Sequence, residues 1–395
     1  MLQFIKCLLL HTLTSIHTMN KKINISLVGG QPFPVYAQIL DNQPDIAILV
    51  CSKATRKYAE NVKALIELKF NKIDIYITEI SDQDNKLADE AIKAQCDLYC
   101  KPSTSLTVHV AGGTKPWAIL YAKHFGGKAT IVFIDQNNVI WNMDTLESHR
   151  LDSTSITIAD VFTLQGVKIS STSFESFDAT DAKCVQEIKQ LRKCNFRAFN
   201  RITMDLSSHP NLSSSSSDAC SISWNAEHRQ YDCHFEYHGK FDKVVDKSLS
   251  SPHIKHLLLN TGWFEYEVAS LLNHWPMTDQ IVMNVNINYE GQAKTVNEID
   301  IIVKTKHDKL LFVECKTQIF DSTAIDKFND VVKKYGGLGS KRIFITEVPL
   351  KDLPKDKCTK SGIPHFSMQS ILKSEQSRLA FFAQLDDYMS NINER

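Results

Sequence analysis

The sequence has no excess of either charge. Lys plus Arg and Asp plus Glu each number 45, so the formal net charge is zero. A polycation that holds nucleic acid through its overall field is excluded, and any such partner must be held by local basic patches. Long apolar runs are missing too. The run Cys7 to Leu10 lies between Lys6 and His11. It falls far short of the ~20 residues of a membrane span, and no small-residue cleavage site follows it, so it reads as neither signal peptide nor membrane segment. None of the ten cysteines forms a Cys-x-x-Cys pair. Cys96 and Cys100 stand alone, and His228, Cys233, His234 and His238 complete no zinc spacing. The cysteines therefore read as free thiols of a reducing cytosol, and the protein as cytoplasmic. Neither G-x-G-x-x-G nor a Walker loop is present, which argues against a dinucleotide cofactor or a nucleoside triphosphate held that way.

What is present suits a globular protein. Its 395 residues, 43% hydrophobic and 23% charged, are enough for two or three domains. Residues 1–18 read as an extension of doubtful start, because the patterned sequence begins after Met19. Over 19–145 short apolar strands alternate with amphipathic helices: strands at Ile23–Val28, Asp45–Val50, Ile73–Ile80, Leu106–Val110, Ala129–Asp135 and Val139–Trp141, helices at Val35–Leu40, Thr55–Leu68, Asp84–Cys96 and Pro116–Phe125. Repeated βαβ units imply an α/β, Rossmann-like domain with a mostly parallel sheet. Ligands of such sheets sit at the carboxyl ends of the strands. Two of those ends are Gly-rich: Gly29-Gly30-Gln31-Pro32, and Gly112-Gly113-Thr114-Lys115 leading into a helix. Glycines, a hydroxyl and a lysine at a helix start suit a phosphate. Ser52 lies at a third strand end.

Residues 146–251 read as a linking and coupling region. It has helices over Ile158–Leu164 and Ala182–Phe199, a Ser-rich mobile loop over Ser207–Ser217 and a hairpin over Trp224–Tyr237. Residues 252–395 carry the chemistry. Leu310–Val313 is a buried strand that turns abruptly to Glu314-Cys315-Lys316. Alternation puts Glu314 and Lys316 on one face and Cys315 on the other. The preceding strand, Val296–Val303, presents Glu298 and Asp300, and the polar Lys306–Lys309 joins the two as a hairpin. Upstream, Asn260–Leu272 forms a helix whose Glu267 can edge towards the site. Asp300 and Glu314, with the Cys315 carbonyl, offer hard oxygen ligands for Mg²⁺ or Mn²⁺, which would serve phosphodiester hydrolysis with Lys316 neutralising charge. Lys304, Lys306, Lys309, Lys333, Lys334, Lys341 and Arg342 surround this stretch. A helix over Ser322–Lys334, a strand over Lys341–Ile345 and a last helix over Phe366–Tyr388 complete the core.

The order helix Glu267, Asp300, hairpin, Glu314-x-Lys316 resembles the PD-(D/E)XK nuclease motif, although Ile299 stands where that motif's name places proline. Joined to a domain with Gly29-Gly30-Gln31-Pro32 and Gly112-Gly113-Thr114-Lys115-Pro116, it resembles the CRISPR-associated Rossmann fold (CARF) nucleases of type III systems. The resemblance implies a CARF domain plus a restriction-endonuclease-like domain. It implies a homodimer activated by cyclic oligoadenylate, commonly cyclic tetra-adenylate, and metal-dependent cleavage of DNA or RNA in antiviral defence. Catalysis would then fall to Asp300, Glu314 and Lys316, with Glu267, and ligand contacts to Gly30, Gln31, Gly113, Thr114 and Lys115, with Pro32, Ser52 and Gly112 beside them. Two other readings use the same residues: a ligand-sensing regulator with an inactive nuclease fold, and a repair or restriction nuclease without a second messenger.

Overall fold

A computed structural model describes residues 21–151, 156–172, 177–238, 242–289, 297–317, 323–335 and 340–390. The N-terminal extension of doubtful start lies outside them. The chain forms two compact units that divide between Val167 and Lys168. No helix among the described residues is long and apolar enough to cross a membrane.

The first unit runs β1 (Lys22–Leu27), α1 (Phe33–Asn42), β2 (Ile46–Cys51), α2 (Arg56–Lys69), β3 (Asp74–Glu79), α3 (Asn85–Tyr99), β4 (Ser105–His109), α4 (Lys115–Phe125), β5 (Thr130–Ile134), β6 (Val139–Asn142), β7 (Ser148–Arg150) and α5 (Ile158–Leu164). Its sheet has the order β3-β2-β1-β4-β5-β6-β7. The first five strands are parallel and the last two antiparallel. Ile23, Ile25 and Leu27 of β1, with Ile46, Ile48 and Val50 of β2, pack beneath Ile92 of α3 and Trp117 and Tyr121 of α4. The opposite face of the centre is polar: Asn24 donates to Ser26 at 2.8 Å, and Ser26 faces Gln38 of α1 at 3.5 Å. The chain lays down β1, β2 and β3 outward, then returns to place β4 on the other side of β1. That reversal sets the loops after β1 and β4 side by side at the switch point of the strand order, the usual ligand position in such sheets.

The second unit runs β8 (Val167–Ser171), α6 (Ala179–Cys194), α7 (Phe196–Ser208), β9 (Ser214–Ser217), β10 (Cys220–Asn225), β11 (Gln230–Tyr237), β12 (Lys243–Leu249), α8 (Ile254–Leu259), α9 (Gly262–Asn273), β13 (Thr278–Tyr289), β14 (Asn297–Thr305), β15 (Leu310–Lys316), α10 (Thr323–Tyr335), β16 (Lys341–Thr346), α11 (Asp352–Lys360), β17 (His365–Ser367), α12 (Met368–Ile371) and α13 (Glu375–Ser390). One sheet has the order β17-β16-β15-β14-β13-β8, and a smaller antiparallel one β12-β11-β10-β9. Ile301, Val303, Leu311, Val313, Ile343 and Ile345 share a core with α9 and α13. On the other face Phe344 meets Phe328 of α10 edge-on, ring centres 5.3 Å apart.

Three sequence expectations need correction. Ser214–Ser217, expected within a mobile loop, is strand β9 and pairs with Cys220–Ser223; four serines carry no apolar alternation to signal it. The helix expected from Ala182 to Phe199 is two, because the Asn195 side chain accepts from the Ala198 amide and starts a new helix there. The helix expected from Phe366 is preceded by β17 and the short α12, and its long part begins at Glu375. Residues 146–167 fall in the first unit and 168–251 in the second.

Candidate functional site

β14 and β15 pair antiparallel from Lys304↔Leu310 to Ile301↔Val313. Beyond that pair a side chain takes over the bonding: the Cys315 amide donates to Asp300 Oδ2 at 2.7 Å. This fixes the Asp300 carboxylate across the open end of the hairpin. Lys316 Nζ lies 2.7 Å from Glu314 Oε1 and 3.4 Å from Asp300 Oδ2. The structure therefore brings Asp300, Glu314 and Lys316 together on one face, while the Cys315 thiol is buried in the opposite layer with Val313 and Ile345.

The electrostatics of this cluster are those of a crowded acid site. Burial, then repulsion from Asp300, pushes Glu314 from the ordinary 4.5 up to about 7. Burial alone would pull the Lys316 ammonium down, but the Asp300 and Glu314 charges outweigh it and hold the amine above the usual lysine value. Lys316 stays protonated.

Glu267 does not join the cluster. Its carboxylate pairs with Lys189 of α6. The helix acid that faces Asp300 is Glu265, 7% exposed. Burial and then the Asp300 charge raise its pKa, while a 3.4 Å contact with His256 Nε2 lowers it. Helical phase separates the two: Glu265 shares the i, i+3, i+7 spacing with Val268 and Leu272, whereas Glu267 lies four residues from both Trp263 and Leu271. Both acids sit at helical spacing to buried residues, so spacing alone does not choose between them. His256 and Asn284, its neighbour at 2.9 Å, carry no sequence signal. Glu298 is exposed.

Of the basic residues around this stretch, two are tied up inside. Lys304 is fully buried between Asp279 at 2.5 Å and Asp308 at 2.9 Å. Lys309 donates to the Met389 carbonyl at 2.7 Å. Lys341 lies over the Tyr388 ring and Arg342 bonds the Ser361 carbonyl. The side chains of Lys333 and Lys334 lie outside the described residues. Arg192 of α6 grips Glu347 with both guanidinium nitrogens. The Glu347 amide in turn donates to the Lys316 carbonyl.

Among the described residues no three Asp, Glu, His or Cys side chains are gathered tightly enough to hold a metal ion. At the hairpin the Lys316 ammonium sits between the two carboxylates instead. The donor set still fits a hard divalent cation: it is all oxygen, and mutual repulsion of its acids is what added positive charge would relieve.

In the first unit the two Gly-rich loops meet at the carboxyl ends of the neighbouring strands β1 and β4. A Cβ on Gly112 would fall 1.9 Å from the Leu27 carbonyl, and one on Gly29 3.0 Å from the Gly113 amide. Gly113 has φ +71°, open to glycine but strained for other residues. Thr114 caps α4 by accepting from the Trp117 amide. Gly30 has open space where a side chain would stand. Lys115 is exposed and Gln31 half-buried, whereas Pro32 and Ser52 are buried, the Ser52 amide donating to the Thr55 hydroxyl.

Comparison with known proteins agrees with this layout. Residues 253–353 match the model of the Card1-like endonuclease domain. No curated protein sequence matches the chain. The structure resembles Can2 from Sulfobacillus thermosulfidooxidans, solved with cyclic tetra-adenylate, at 17% identity and TM-score 0.65 over 94% of this chain and 100% of that one. It resembles protein VC1899 from Vibrio cholerae at 12% identity and TM-score 0.71, over 94% and 99%. It also resembles a type III CRISPR defence DNA nuclease activated by cyclic oligoadenylate, at 13% identity and TM-score 0.55, over 84% of this chain and 47% of that one. The chain thus has the α/β fold of Can2, and its residues 253–353 are an endonuclease domain of the Card1-like family.

Proposed function

We propose that this protein is a divalent-metal-dependent nuclease, activated by a cyclic oligoadenylate, that cleaves DNA or RNA phosphodiester bonds in antiviral defence. The observation that carries the reading is the convergence of Asp300, Glu314 and Lys316 inside the matched endonuclease segment. Asp300 and Glu314, with Glu265 beside them and the Cys315 carbonyl, would hold Mg²⁺ or Mn²⁺. When bound, such a cation acidifies water and offsets charge on the phosphoryl oxygens. The Cys315 amide keeps Asp300 in place. Lys316, protonated at any physiological pH, sets a positive charge beside the phosphate as negative charge builds on it.

The activator would bind the loops after β1 and β4 through Gly30, Gln31, Gly113, Thr114 and Lys115, with Gly112 as the close-packed backbone beneath. Cyclic tetra-adenylate is the favoured ring. Four identical nucleotides have two-fold symmetry and suit two copies of this loop pair in a homodimer. Activation requires only that the ring prefer the dimer geometry in which the nuclease site is competent.

The test is purified protein with Mn²⁺ or Mg²⁺ and labelled single-stranded DNA, supercoiled DNA and RNA, each with and without cyclic tetra- and hexa-adenylate. Cleavage that appears with one ring and is lost in Glu314→Ala, which still binds the ring, is the expected result. Folded protein that cuts nothing in any combination refutes the nuclease; equal cutting without a ring refutes the activation.

A further inference from the structure

Two strained residues and a close-packed glycine surround one imidazole in the second unit. Thr261, just before α9, has φ +59°, a left-handed conformation that is a true outlier for a β-branched residue. Gly262 follows it, and a Cβ there would fall 2.3 Å from His256 Cδ2 and 2.7 Å from its Nε2. The ring rests on bare backbone. Across from it Asn284 is 1% exposed, in mid-strand, with φ +51°. The pairs Met283↔Ile301 and Val285↔Ile299 bracket Asn284 and Asp300, so the twisted residue stands opposite Asp300 in the sheet. Its amide reaches His256 Nε2 at 2.9 Å. Such outliers survive where the surrounding structure over-determines them, and they gather at working sites.

The ring so held also meets an acid. Nε2 lies 3.4 Å from Glu265 Oε2. The Asn284 atom placed 2.9 Å from Nε2 is its amide nitrogen; a carboxylate only accepts, so bonding to Glu265 needs the proton on Nε2 and the Asn284 amide turned over, its oxygen accepting from the same N–H. Glu265 is buried, and it feels the charges of Asp300 and Lys316.

We propose that His256 is a positioning residue for the metal centre: its Nε2–H fixes the Glu265 carboxylate beside Asp300 and Glu314, making Glu265 the third acid of the site. This rests on the nuclease reading above. Groups that orient a ligating carboxylate this way change metal affinity roughly 10-fold or more when removed.

The experiment is calorimetric titration of Mn²⁺ into the full chain, without nucleic acid, with thermal melting run in parallel. The chain with its own sequence is compared with His256→Phe, which keeps a ring against Gly262 but has no N–H, His256→Gln, which keeps a donor, and each combined with Glu265→Gln. His256→Phe is expected to weaken Mn²⁺ binding about 10-fold, His256→Gln to recover most of it, and neither change to matter once Glu265 is Gln. A merely structural histidine would lower the melting temperature and leave Mn²⁺ affinity of the folded protein alone. Unchanged affinity in both folded His256 variants, or an equal loss in the Glu265→Gln background, overturns the inference while the nuclease reading stands. No Mn²⁺ binding by the unsubstituted chain overturns both.

Discussion

The β14–β15 hairpin holds a lysine between two carboxylates at each of its ends. At the turn, Lys304 is fully buried between Asp279 and Asp308. At the open end, Lys316 is 37% exposed between Asp300 and Glu314. The chemistry of the pairs is the same, but their surroundings differ. The turn cluster closes over its lysine, although Asp279 itself is partly exposed. The open cluster has a further acid, Glu265, and a Glu314 pushed to about 7 by burial and by Asp300. An ion cluster built around a fully buried lysine mainly fixes a turn. One left short of positive charge and open to solvent is poised to take up a cation or a substrate.

Substitutions at the two lysines test that contrast most sharply. Lys316→Met is expected to slow cleavage on the order of 10³-fold, with cyclic tetra-adenylate affinity and the melting temperature little changed. Lys304→Met leaves two acids without their buried partner and should cost about 3–5 kcal/mol of stability by denaturant titration, while the protein that remains folded still cuts. If Lys304→Met instead spared stability and removed activity, the two ends would not differ as described.

A smaller effect separates the clusters by pH. Glu314 binds a proton more readily in the folded chain than at its ordinary 4.5. Metal-free stability should therefore fall as pH rises from about 4.5 through about 7. Glu314→Gln removes that fall. At pH 8 without metal it should melt higher, by on the order of 1–3 kcal/mol of stability, although it no longer cuts. At limiting Mn²⁺ the unsubstituted chain should gain cleavage as pH rises through the same window. The smallest effect is expected at Glu267. Its ion pair with Lys189 is partly exposed, so Glu267→Gln should leave cleavage within about twofold and stability within about 1 kcal/mol. Glu265→Gln, by contrast, should cut poorly.

Much of this was legible in the chain itself. The apolar run before Glu314-Cys315-Lys316 and the polar turn after Asp300 gave a hairpin, and period-two alternation put Glu314 and Lys316 on one face, with Asp300 to join them if its strand turned the same way. The parallel sheet of the first unit followed from its βαβ rhythm. What escaped was of two kinds. Glu265 obeyed helical spacing, but so did Glu267, four residues from both Trp263 and Leu271, and only the packing of the helix on the sheet separates the two acids. His256 and Asn284 could not be read at all, because their partnership depends on a left-handed strand residue and on the absence of a Cβ at Gly262. The small sheet of the second unit was half-hidden for a related reason: Ser214–Ser217 pairs through its backbone and advertises nothing.

The crossing of the two Gly-rich loops in the first unit has a mechanical meaning. Between Leu27 and Gly112, and between Gly29 and Gly113, backbone meets backbone with no side chain in the gap to compress. Close-packed backbone of this kind leaves little room for one loop to shift without the other. Gly30 follows Gly29 directly, and Thr114, the cap of α4, follows Gly113. A small molecule resting on either loop would thus be felt at the first turn of that helix.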